Sequence, residues 1–126
     1  MQVVAVLGAS ENPERYSNFA CELLRQNGHR VFAVSLHGRD IHGATGRVSL
    51  AEIAVPIDTI TVYISPSHQP PLIDEMIACH PRRVIFNPGA ESEESEQRLR
   101  DAGIKVVRAC TLVLLKTGQF EMDIPG

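Results

Sequence analysis

Apolar residues fall along this chain in short runs separated by amphipathic or polar stretches. Val3-Val4-Ala5-Val6-Leu7 is the first run, rich in β-branched residues and without alternation. A strand buried on both faces of a parallel sheet has that pattern. Residues 29–34, 59–64, 84–86 and 104–107 predict further strands, Thr59-Ile60-Thr61-Val62-Tyr63-Ile64 being the strongest in β propensity. Arg47-Val48 predicts a short edge strand.

Helical periodicity fills the gaps. Residues 19–27 predict a helix opened by Ser17 and Asn18, with Ser17 as its cap and Phe19, Ala20, Leu23 and Leu24 on one face. Asn27-Gly28 ends it. Ser49 predicts the cap of a brief helix over 50–53, after an irregular stretch at 41–46. Pro70-Pro71 suits the first turn of a helix that buries Leu72, Ile73, Met76 and Ile77. Ser92 caps an acidic helix that runs to Ala102 and stops at Gly103, with Glu91, Glu93 and Glu94 complementing its dipole. Residues 112–115 read as a short helix or an extended tail, and 118–126 as a loose end.

Strands that alternate with helices specify a parallel sheet covered on both faces, with right-handed crossovers. The expectation is a single α/β domain over 1–126, a three-layer, doubly wound, Rossmann-like sheet. Its strand order is 3-2-1-4-5-6, the third strand being a short edge. Ligands bind such sheets at the strand C-terminal ends, where the order reverses between the first and fourth strands. The expected crevice is lined by Gly8, Ala9 and Ser10, by residues 35–39 and 65–67, by Asn87, Pro88 and Gly89, and by Cys110.

Composition narrows the ligand. At 126 residues the chain suits one domain. A formal charge of -3 without a basic run argues against nucleic acid as partner, and the absence of Trp removes a base-stacking platform. No apolar stretch is long enough to span a bilayer, and the opening residues form a strand rather than a signal peptide. Cys21, Cys79 and Cys110 are widely spaced and odd in number, which fits the reducing cytoplasm. Their placement makes Cys110 the reactive candidate at the crevice, or else a small buried hydrophobe. His29, His37, His42, His68 and His80 have no metal-ligand spacing and read as surface or turn residues.

The loop after the first strand is a candidate anion site, because a helix N-terminus there offers free N–H groups and a favourable dipole. Only Gly8 of a glycine fingerprint is present, and no Walker lysine follows. Where a dinucleotide-binding domain carries an acidic ribose clamp, this chain has Ser35, with His37 and Arg39 close behind. A serine, a histidine and an arginine suit a phosphate better than a ribose diol. Ribose phosphates occur in NADP and in coenzyme A, and His37-Gly38-Arg39 also reads as a solvated turn.

Several segments together resemble a family. Val6-Leu7-Gly8-Ala9-Ser10 with Asn12-Pro13-Glu14-Arg15 is similar to the opening of small stand-alone CoA-binding domain proteins, relatives of the N-terminal domain of the succinate–CoA ligase alpha subunit. Ile41-His42-Gly43, Ser49-Leu50, Ile57-Asp58, Asn87-Pro88-Gly89-Ala90-Glu91 and Ala109-Cys110-Thr111-Leu112-Val113 match later segments in order. The resemblance implies that coenzyme A or an acyl-CoA is the cofactor. It implies that Gly8, Ala9, Ser10, Ser17 and Asn18 lie by the pyrophosphate, Ser65 and Pro66 by the pantetheine, and Asn87, Pro88 and Gly89 near its path. The chain departs from the family's frequent Asn-Pro-Lys after the second strand. Arg39 is the expected source of charge there, with Arg15 next. The ligase's phosphorylated histidine belongs to a second domain outside this sequence, so the expectation is a binding or regulatory module without chemistry of its own. The competing class is an NADP-binding, oxidoreductase-like domain.

Overall fold

Successive residues of each strand face opposite sides of the sheet, and here both sides are apolar. Val4 and Val6 pack on one side with Val31, Ala33, Ala20, Cys21, Leu24 and Leu115. Ala5 and Leu7 pack on the other with Ile60, Val62, Val84, Phe86, Ile73, Met76 and Leu99. Full burial of one such large side chain contributes about 1.5–3 kcal/mol, so two cores hold the sheet between them.

The computed structural model describes residues 1–122. Its strands are β1 (Val3–Leu7), β2 (Arg30–Val34), β3 (Thr45–Arg47), β4 (Thr59–Val62), β5 (Arg83–Phe86) and β6 (Lys105–Arg108). All pair in parallel in the order β3-β2-β1-β4-β5-β6, the order expected from the sequence. Helices α1 (Tyr16–Gln26) and α4 (Thr111–Lys116) cover one face, and α2 (Pro70–Cys79) and α3 (Glu93–Asp101) cover the other. Leu7 pairs with Val34 and Val62, Val62 with Phe86, and Phe86 with Arg108. The strand C-termini therefore end level, and Gly8, Ser35, Tyr63, Asn87 and Ala109 are the first residues beyond them.

Several local expectations are corrected. Helix α1 starts at Tyr16, Arg15 takes the cap position with extended backbone, and no side chain caps it. Ser17 is instead buried in the first turn. The buried stripe is Ser17, Ala20, Cys21 and Leu24, whose mostly small side chains let the helix lie close to the sheet; Phe19 lies off that stripe and is 43% exposed. The edge strand is Thr45–Arg47 rather than 47–48, because the Val48 N–H leaves the sheet for Glu52 Oε1. Ser49 does not cap the 3₁₀ turn Leu50–Glu52 with its side chain; Glu75 Oε1 accepts the Leu50 N–H instead.

Ser92 caps α3 as expected, its hydroxyl accepting the Ser95 N–H. The Glu96 carboxylate accepts in turn from the Ser92 N–H and from Arg108 Nε, each at 2.9 Å. Residues 112–115 belong to the helix α4. The loose end expected over 118–126 is corrected at Phe120, which is buried against the ring of His29; residues 123–126 lie outside the described residues. His29 is itself no surface residue. It is buried, its Nδ1 accepts the Gln2 N–H, and burial pushes its pKa down.

Candidate functional site

Two adjoining cavities open at the strand C-terminal ends and share Gly8, Ser10 and Tyr63. The first, about 470 Å³, lies between the ends of β1 and β2 and the start of α2. Leu7, Val34, Leu36, Val48, Ile64 and Leu72 make its walls largely apolar, and Ser35, His37 and Glu11 supply polar groups. The second, about 570 Å³, lies at the N-terminus of α1 and is lined by Ser10, Glu14, Arg15, Tyr16, Ser17 and Tyr63.

The loop between them is folded by its own side chains. Ser10 Oγ accepts the Asn12 N–H at 3.1 Å, Asn12 Oδ1 accepts the Glu14 N–H at 3.0 Å, and the Asn12 carbonyl accepts the Arg15 N–H at 3.0 Å. Gly8 and Ala9 both donate to the Val34 carbonyl, which ties the loop to the end of β2. Among the described residues, the N–H groups of Ser10, Glu11, Tyr16 and Ser17 have no protein acceptor. Tyr16 and Ser17 open α1, where the dipole favours an anion, and Ser10 and Glu11 lie on the loop that precedes it. Arg15, in the second cavity, makes no salt bridge among the described residues.

Other residues of the expected site turn inward. Asn18 is buried and braces the loop: its Nδ2 donates to the Ser10 carbonyl at 2.9 Å, and its Oδ1 accepts from His42 Nε2 at 2.7 Å. Ser35 Oγ accepts the Gly38 N–H, and Asp40 Oδ1 accepts the Gly46 N–H, so both side chains shape the turn after β2. Arg39 is exposed at the rim, 3.6 Å from Glu11. Ser65 bonds His68 at the exposed 3₁₀ turn Pro66–His68. Ser65 and Pro66 lie outside the two cavities, as do Asn87, Pro88, Gly89 and Cys110.

The Asn87 amide is spent within the fold. It donates to Thr61 Oγ1 and to the Val62 carbonyl, and it accepts the Thr111 N–H. The Gly89 N–H goes to Glu91 Oε1, and backbone N–H groups hold the Glu91 carboxyl below its ordinary range. Cys110 is half-buried at the cap position of α4. Burial pushes the Cys21 thiol up to about 12, and raises Cys79 as well, so neither is a ready thiolate.

Sequence reasoning missed Tyr63, which faces both cavities. Burial raises its phenol pKa, against the pull of the neighbouring Thr61 and Thr111 hydroxyls. Its position just past β4 was the available signal, since the strand was read two residues too long. It also missed Val48 and Leu72, which complete an apolar wall with Leu36 from three separate segments.

A family model described as "CoA binding domain" matches residues 2–116. The chain is 36% identical to an uncharacterised protein of known crystal structure, which superposes with a TM-score of 0.88 over 95% of this chain and 98% of that one. It is 26% identical to the uncharacterised protein YneT of Bacillus subtilis (strain 168), over 82% of this chain and 77% of the relative. Its fold also matches part of a dinucleotide-forming acetyl-coenzyme A synthetase 1 of Ca. Korarchaeum cryptofilum, at 16% identity and a TM-score of 0.73, over 83% of this chain and 25% of that one.

Proposed function

As the chain belongs to the CoA binding domain family, we propose that it holds coenzyme A or an acyl-CoA across the two cavities, as a binding or regulatory module rather than a catalyst. The observation that carries the reading is the row of four backbone donors between an apolar cavity and a polar one. A pyrophosphate suits the donors and the α1 dipole, with Arg15 as the adjoining cation. An adenine ring suits the apolar walls of the first cavity, and Arg39 at its rim suits the ribose phosphate. The fold shared with an acetyl-coenzyme A synthetase supports the same ligand class.

NAD is a poor match. The residues that would clamp its ribose diol, Ser35 and Asp40, are bonded to Gly38 and Gly46. The non-catalytic part of the reading rests on the side chains at the strand ends. Ser35, Asn87 and Ser65 are engaged in bonds that shape the fold.

Thermal melting with coenzyme A, NADP and NAD tests the proposal. Coenzyme A is expected to stabilise the protein by about 2.7 kcal/mol at a hundredfold excess over its dissociation constant, and NAD to leave the melt unchanged. A shift with NADP and none with coenzyme A would overturn the reading in favour of an NADP-binding domain.

A further inference from the structure

Resting on that reading, we propose that Glu11 and Arg39 form a clasp across the mouth of the first cavity. A ligand with a phosphate on its ribose must open it, so Glu11 tunes the selectivity of the site. Glu11 stands on the β1–α1 loop and lines the cavity. Arg39 stands on the segment after β2, two residues past His37, which lines the cavity. Their side chains meet at 3.6 Å.

Both ends of the clasp are fixed by backbone. On one side, the Ser10 hydroxyl and the Asn12 side chain lock the loop around Glu11. On the other, the Gly38 N–H is held by Ser35 and Asp40 is held by the Gly46 N–H. A Cβ at Gly46 would run into the Gly38 carbonyl and the Arg39 backbone, so β3 packs directly under Arg39.

Among the described residues the guanidinium has one acidic partner, and a phosphate would compete for it. A phosphate dianion carries more charge than a carboxylate and fits the guanidinium fork, so it displaces Glu11. The released carboxylate then stands beside the phosphate on the same rim and repels it. Glu11 thus opposes ligands that need Arg39 more strongly than those that do not.

Calorimetric titration of the full chain with coenzyme A and with 3′-dephospho-coenzyme A tests the clasp, using wild type, Glu11→Gln, Arg39→Ala and the double variant. Arg39→Ala is expected to weaken coenzyme A about ten- to hundredfold and to spare the dephosphorylated ligand. Glu11→Gln is expected to tighten coenzyme A about two- to fivefold more than it tightens dephospho-coenzyme A. That difference between the ligands should vanish in the Arg39→Ala background and shrink as salt is raised. Equal gains for both ligands, no gain for coenzyme A, or a difference between the ligands that survives Arg39→Ala would overturn the clasp while leaving the binding reading intact. If wild type takes up neither ligand, the binding reading falls and the clasp falls with it.

Discussion

Gly8→Val is expected to lower unfolding stability by about 2–6 kcal/mol, before any ligand is considered. Gly8 has φ +90, and a Cβ built there lies 2.8 Å from the Tyr63 carbonyl oxygen and 2.8 Å from Ile64 Cδ1. The Cβ is aimed at the residues that follow β4. Two costs add, backbone strain at a φ that a β-branched residue resists and the displacement of a neighbouring carbonyl that is part of the sheet's end. Gly89→Ala separates them, since Gly89 has φ +92 with nothing within 4 Å of its Cβ. That variant should carry only the strain, about 1–2 kcal/mol. Urea unfolding of both checks the claim. Equal losses would mean that the contact with Tyr63 costs nothing.

Asn87→Ala is expected to cost about 2–5 kcal/mol and to leave coenzyme A affinity within about twofold in the protein that remains folded. Asn87 is 2% exposed, and its amide makes three bonds of 2.7–3.0 Å to Thr61, Val62 and Thr111. Those bonds tie the ends of β4 and β5 to the start of α4. Alanine leaves the Thr111 N–H without its acceptor in a buried site, which costs more than the bond itself contributes. Chemical denaturation paired with calorimetry decides the role. An unchanged melt with a large loss of affinity would return Asn87 to the ligand site.

The sheet was legible because its signals are redundant. Val3–Leu7 and Arg83–Phe86 carry apolar side chains on both faces, which only a covered parallel sheet accepts. The crevice followed from the strand order. Details that depend on contacts distant in sequence were not legible. Nothing near Ser17 shows that α1 begins at Tyr16 and presses Ser17 against the sheet. Phe120 looked like a tail residue until its partner His29 was in place, 91 positions earlier. Asn87 was correctly placed just past β5, whereas Asn18 lies in the first turn of α1 rather than at the loop end. Whether an asparagine faces a ligand or braces a loop depends on partners such as Thr111 and His42, which single-sequence patterns do not pair. The short β3 starts two residues earlier than expected because Gly46, a weak strand former, is held by its fit under Gly38 and Arg39.

The central claim is that the backbone between Ser10 and Ser17 takes the anionic part of coenzyme A. Amide-resolved NMR of uniformly ¹⁵N-labelled protein, titrated with coenzyme A, tests it most directly. The account expects the largest shifts at the N–H groups of Ser10, Glu11, Tyr16 and Ser17, which have no protein acceptor, and small ones at Gly89 and Ala90, whose N–H groups are already bonded to Glu91 and Asn87. Largest shifts at Asn87, Gly89 and Ala90, with the Ser10 to Ser17 amides unmoved at saturation, would contradict it.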